Sequence, residues 1–463
     1  MSSTTTVQVS RAKEIVSLQR SYFNTGVTRS YEFRIDHLRK FKDTILRYEE
    51  RIFEALKKDF NKPVFETYTT EIGLILEEIG VMIKNLKNWM TPQSVSTALG
   101  NLPARSYIYA EPYGVTLVIG TWNYPFQLTL LPVVGAIAAG NTVVIKPPRA
   151  TMHTYDVIES LISECFSEKY VACLDKTVSH DEMLEQRYDY IFFTGGIEVG
   201  KIIARAAAEN LTPTTLELGG KSPCIVDETA SISVAARRIM WGKCMNAGQT
   251  CVAPDYLLVH EKVKDKLFKE MEKVTQEFYG EDSSKSVDYA NIINDKHFER
   301  LTNLLKDGRI VFGGKSDANK RHIAPTLITD IDLDHPLMQE EIFGPILPAF
   351  TFSKLDDALA IIKSYEKPLS FYIFSNNYKN QKKCIEEVQF GGGCVNDTVA
   401  HLLNHELPFG GIGHSGLGAY HGKFSFDTFT HYKGVMNKVT WPDIPLRYPP
   451  YQGKLGIVKK VIK

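Results

Sequence analysis

The chain has 463 residues, with 54 Lys and Arg against 54 Asp and Glu and 43% hydrophobic side chains. A balance of charge without long blocks of either sign excludes the basic footprint of a nucleic-acid binder and points to a small-molecule partner. The length exceeds one comfortable core and suits two or three domains, and seven cysteines, an odd number without paired close spacing, suit a reducing compartment, so a cytoplasmic protein is expected.

Met1–Ser10 is polar and lacks the apolar core of a secretory signal. From Ile35 through Leu38, Phe41, Ile45, Tyr48, Ile52 and Leu56, apolar residues recur at steps of three and four, which predicts an amphipathic helix. A second is expected from about Thr70 to Trp89. Past Pro92 the composition turns to Ser, Thr, Gly and Pro up to about Pro112, a break in helix and an excursion into another domain. Short apolar runs at Val115–Ile119, Thr142–Ile145, Tyr190–Phe193, Cys224–Val226 and Tyr256–Val259, with helical stretches between them, predict a buried parallel sheet of α/β type. The tail Lys454–Lys460 is too short and basic to span a bilayer, so no transmembrane anchor is expected.

Thr121-Trp122-Asn123-Tyr124-Pro125 follows the first of these strands. Asn123 therefore sits at a strand terminus, where its amide could donate to an oxyanion or cap the following turn. Between Phe193 and Ala206 a strand runs through Thr194-Gly195-Gly196-Ile197-Glu198-Val199-Gly200 into an Ala-rich helix, whose free N–H groups could face a cofactor phosphate. Glu217 ends the approach Thr214-Thr215-Leu216 and precedes two glycines. It reads either as a base aimed into a cleft or as a surface Glu beside a turn. Cys251, in Cys244-Met245-Asn246-Ala247-Gly248-Gln249-Thr250-Cys251-Val252-Ala253-Pro254, has a tight polar approach that an inert packing cysteine such as Cys224 lacks. A thiol can add to a carbonyl and a carboxylate can then activate water, so the pair suits acyl chemistry. Gly411-Ile412-Gly413-His414-Ser415-Gly416 spells a dinucleotide fingerprint but has no strand before it and no helix after it. His401 and His405 lack the Glu of a zinc-protease helix, and no catalytic metal is expected.

Assembled in order, these segments resemble the aldehyde dehydrogenase superfamily over nearly the whole chain, most closely its class 3 and fatty-aldehyde branch. The resemblance is carried by Pro112–Val115, Gly120–Phe126, Thr215–Pro223, Met245–Tyr256, Glu340-Glu341-Ile342-Phe343-Gly344-Pro345, Leu407–Gly411 and Tyr420–Lys423. It implies that Cys251 is the nucleophile, that Asn123 and the Cys251 backbone N–H form the oxyanion hole, and that Glu217 activates water. It places Lys146 and Glu341 on the ribose hydroxyls of NAD or NADP and Phe343 against the nicotinamide. Thr194, Gly195, Val199 and Gly200 would open the helix under the pyrophosphate. Trp122, Tyr124 and Phe409 would wall the aldehyde pocket, and His421 would support it.

Two departures from the family pattern stand out. Relatives favouring NAD commonly carry Glu three residues after the cofactor lysine, where this chain has Arg149. A guanidinium attracts a 2′-phosphate that a carboxylate repels, so NADP is expected to be accepted well. Gly196 lacks the hydroxyl or amide often found there.

The expected architecture is an α/β fold with a Rossmann-type parallel-sheet domain (1–92 and 113–221) and an α/β catalytic domain (222–400). A small β oligomerisation extension (93–112 and 401–440) and a tail (441–463) complete it. The resemblance implies a homodimer and a small-molecule aldehyde, aliphatic of medium or long chain or aromatic. The rival readings are a CoA-acylating or acyl-phosphate-reducing relative, and a crystallin-like protein that has lost turnover.

Overall fold

The five parallel strands of the first sheet lie in the order Val171–Cys173, Thr142–Lys146, Val115–Ile119, Tyr190–Thr194, Thr214–Glu217, and an antiparallel Gly416–Leu417 closes the edge. The computed structural model describes residues 10–306 and 308–461; the Met1–Ser10 reading falls, Ser10 apart, outside the described residues. The chain order reverses between Val115–Ile119 and Tyr190–Thr194, which opens a crevice at the carboxyl ends of those two strands. Their residues are buried on both faces, the reason the strands read as unbroken apolar runs. The helix Gln127–Ala139 beneath this sheet is buried all round, so it shows no amphipathic stripe.

The expected helix over Ile35–Leu56 runs from Tyr31 to Phe60. Ser30 caps it, accepting from the Phe33 N–H at 3.0 Å, and Asn61 ends it in the left-handed region at φ 55°. The second is a π-helical turn, Tyr68–Ile72, continuing into Gly73–Met90. A seven-stranded sheet holds Pro223–Val226 and Tyr256–His260 at its centre. Ile346–Phe352 and Thr326–Thr329 lie on one side, Ser370–Phe374 and Gly392–Val395 on the other, with Arg309–Phe312 as an antiparallel edge.

Gln93–Val95, Ala104–Pro112 and Thr430–Lys438 form a separate antiparallel sheet. Only Thr430–Lys438 of residues 401–440 therefore joins the extension. Gly416–Leu417 instead pairs with Leu216 and Glu217, because that edge of the first sheet would otherwise leave its backbone groups unpaired. The same strand accounts for the false dinucleotide fingerprint, whose glycines make the turn leading into it. Among the described residues no helix is long and apolar enough to cross a membrane.

Candidate active site

The helix Ile232–Cys244 ends in a turn in which Asn246, Ala247 and Gly248 have φ of 52°, 53° and 73°. Left-handed backbone at consecutive non-glycine residues is costly and persists only where its surroundings over-determine it. Here they do. Asn246 Nδ2 donates to the Asn123 carbonyl at 2.7 Å. Gln249 Nε2 donates to the carbonyls of Asn246 and Asn291 at 3.0 and 3.1 Å, and its Oε1 accepts from Ile293 N–H at 3.0 Å. A Cβ on Gly248 would collide with the Gly344 carbonyl. Cys251 leaves this braced loop half-buried and lines two cavities.

Asn123 lies buried at the mouth of the first sheet's crevice, and its Nδ2 donates to the Gln249 carbonyl at 3.0 Å. One N–H of that amide remains for a ligand. Glu217 ends its strand fully buried, and neither carboxylate oxygen has a hydrogen-bond partner. Burial holds its pKa well above the ordinary carboxylate range. Cys251, Asn123 and Glu217 thus line one cavity of about 350 Å³ together with Thr194, Gly195, Glu341, Phe343, Phe409 and Trp122.

The thiol is not pre-ionised by the chain itself. Burial, then the carboxylates of Glu341 and Glu217, push the Cys251 pKa up, against the N–H groups of Cys251 and Val252. Glu341 packs over the turn after Glu217, where a Cβ on Gly219 would strike its Oε2. Its own pKa is held well above the ordinary range by burial and by Asp255.

On the dinucleotide side, Gly196 caps the helix Ile197–Ala208 without a side-chain bond, and an added Cβ there would meet nothing within 4 Å. Thr194 Oγ1 is buried without a partner. The Gly195 N–H is taken by the Glu217 carbonyl at 3.0 Å, so that amide does not face a ligand as expected. Val199 and Gly200 lie in the helix's first turn, Val199 exposed and Gly200 packed against Leu218.

Lys146 and Arg149 do not line the catalytic cavity. Lys146 Nζ donates to the carbonyls of Asp175 and Val178 at 2.9 and 3.0 Å, and Arg149 to that of Val178 at 2.7 Å. Burial and the neighbouring Arg149 bring the Lys146 pKa down to about 8. The orphaned hydroxyl, the bare helix terminus and these adjacent cations suit a dinucleotide carrying phosphate.

A second cavity, about 540 Å³, also reaches Cys251, and Leu128, Phe409 and Tyr420 line both as well. Tyr124 and His421 belong to this apolar channel. Trp122 does not: it packs against Phe343 and His297, with ring centroids 5.2 and 4.9 Å apart, and lines the dinucleotide side. Thr121, Trp122 and Asn123 all line the smaller cavity, and the next residue, Tyr124, lines the channel. His421 is buried and stacked 5.2 Å from the Phe409 ring, and burial lowers its pKa to about 4, so it is neutral at pH 7.

Tyr420, Thr250 and Glu66, to which the sequence assigns no role, complete the channel, and a buried ion pair stands behind it. Tyr420 is fully buried, Tyr124 Oη bonds Thr250 Oγ1 at 2.6 Å, and Glu66 accepts from the Asn246 N–H at 3.1 Å. Lys62 Nζ lies 2.7 Å from Glu71 Oε1, both side chains fully buried, and 4.1 Å from the Tyr124 ring centroid. His401 and His405 face different partners, Ser370 and Cys394 for the first and Glu78 for the second. A polar cavity of about 430 Å³ around Ser283 and His322 shares no residue with either of the others.

The sequence pattern of the aldehyde dehydrogenase family matches residues 2–435. A 4,4′-diaponeurosporen-aldehyde dehydrogenase of Staphylococcus aureus is 49% identical over 447 residues, covering 96% of this chain and 97% of that protein. A dimeric, NADP-preferring aldehyde dehydrogenase of Canis lupus familiaris is 43% identical, covering 96% and 99%. The substrate-bound structure of Staphylococcus aureus AldH superposes with a TM-score of 0.95 at 48% identity, covering 97% of this chain and 99% of that one.

Proposed function

Since this chain belongs to the aldehyde dehydrogenase family, we propose that it oxidises apolar aldehydes to carboxylic acids with NAD or NADP through a covalent adduct on Cys251. The observation that carries this reading is the cavity shared by a half-buried thiol, an amide donor and a buried carboxylate without partners. The Cys251 thiol gives up its proton to solvent, and the sulfur adds to the carbonyl carbon while Asn123 Nδ2 and the Cys251 N–H take the developing oxyanion. A bound nicotinamide dinucleotide supplies the hydride acceptor and a positive charge near the thiol. Thr194, the Ile197 helix terminus, Glu341, Phe343 and Lys146 would hold it. Glu217, its basicity raised by burial, then takes a proton from the water that cleaves the thioester.

That carboxylate supports hydrolysis over transfer of the acyl group to CoA, and the presence of both thiol and carboxylate supports turnover over a silent protein. Arg149 beside Lys146 supports good use of NADP, a preference stated in the name of the canine relative. The seven free cysteines support a cytoplasmic setting, and the separate three-stranded sheet supports a homodimer.

The test is a panel of medium-chain, long-chain and aromatic aldehydes with each cofactor, followed by reduced-nicotinamide absorbance. Cys251→Ser abolishes the signal, and Asn123→Ala lowers kcat by about a hundred- to a thousandfold. Glu217→Gln gives one burst equivalent and an acyl adduct on Cys251 by mass spectrometry, and Arg149→Glu moves the kcat/KM ratio toward NAD. Full turnover by Cys251→Ser overturns the mechanism.

A further inference from the structure

Resting on the aldehyde-oxidising reading above, we infer that Glu66 and Asp288 make the aldehyde channel an anion filter, which admits neutral aldehydes and turns away those bearing a second, anionic group. The channel is walled largely by apolar side chains, and among its described lining residues there is no Lys or Arg. Its imidazole, His421, is neutral at pH 7. The ionisable groups left to face an incoming chain are therefore acidic. Asp288 is exposed at the rim, and Glu66 is half-buried further in.

Glu66 is held in place, because its Oε2 accepts the Asn246 N–H at 3.1 Å and that amide belongs to the braced loop carrying Cys251. Lys62 behind the Tyr124 wall offsets part of the Glu66 charge, but the nearby cations are engaged elsewhere. Lys62 is paired with Glu71 at 2.7 Å, and Arg237, stacked on the lining Phe278, is paired with Glu277 at 2.6 Å. A carboxylate entering this channel gives up its water to apolar walls and meets like charge where screening is weak. A neutral alkyl or aryl chain meets neither cost.

Burial pushes the Glu66 pKa up to about 7, with Asp288 adding to the rise and Lys62 and the Asn246 N–H opposing it. Assay at about pH 8.5 therefore keeps it ionised.

The experiment compares kcat/KM for hexanal and for adipate semialdehyde, its ω-carboxylate analogue, within each of five proteins: wild type, Glu66→Gln, Asp288→Asn, the double variant and the charge-retaining Glu66→Asp. Taking the ratio within one protein cancels any loss common to both substrates. Wild type is expected to favour hexanal by about thirtyfold, with Glu66→Gln narrowing the ratio about tenfold and Asp288→Asn, screened by solvent at the rim, about two- to threefold. Glu66→Asp keeps most of the wild-type preference. A wild-type ratio within about threefold of unity, or a ratio unmoved in the double variant while hexanal turns over, overturns the filter alone. Absence of hexanal oxidation by wild type instead overturns the parent reading, and the filter with it.

Discussion

Glu217 has two buried carboxylate oxygens without hydrogen-bond partners, an arrangement that costs stability in proportion to how much of the group is ionised. Its folded-state pKa lies above the ordinary value, so between those two values the folded chain binds more protons than the unfolded one. Stability therefore falls as pH rises through that window. Glu217→Gln escapes this loss. Its melting temperature is expected to match wild type near pH 4 and to exceed it increasingly toward pH 8, by roughly a few degrees. Thermal melts across that range check it, and a gap that closes with rising pH contradicts it. The same residue that limits stability activates water, so the gain in Tm and the stalled acyl adduct should appear in one variant.

At the scale of elements, the buried Lys62–Glu71 pair ties the first helical layer to the catalytic crevice. Glu71 Oε2 accepts the N–H groups of Phe126 and Gln127 at 2.9 and 3.1 Å, where the helix Gln127–Ala139 begins. Glu71→Leu strands the Lys62 ammonium and two amides together, and is expected to cost about 3–5 kcal/mol. Adding Lys62→Met should return part of that, and chemical denaturation of the four proteins in the cycle measures how much.

Neither partner was legible in the sequence, nor were Glu66 and Tyr420. Each acts across a gap in the chain, and no local spacing encodes such a contact. The strands were legible because a two-face-buried parallel strand must be apolar throughout, and Cys251, Glu217 and Asn123 because each stands where an apolar run gives way to a tight polar turn. Trp122 lines the cavity of Asn123 and Glu217 and not the apolar channel, a choice between adjoining cavities that no local spacing encodes. Residues 401–429 were misassigned because a two-residue edge strand leaves no periodicity to read.

Across the whole molecule, the Ala104–Pro112 and Thr430–Lys438 strands stand outside both larger sheets. Exposed Tyr432, Val435 and Met436 lie along the second strand. Tyr432 and Met436 share one face of the strand and Val435 stands on the other, and exposed apolar side chains on a small separate sheet suit a second copy of the chain. On the proposed homodimer, wild type is expected to run as a dimer in light scattering and a Val435→Glu, Met436→Glu variant as a monomer. An unchanged mass for the variant places the contact elsewhere.

Cys251 lines two adjoining chambers, and that has a kinetic reading. If, as proposed, a dinucleotide enters through one and an aldehyde through the other, neither has a steric duty to wait its turn. The freed acid can depart on its own side while the spent coenzyme stays behind. A blocker fitted to the apolar side should therefore compete with aldehyde alone and leave coenzyme affinity untouched.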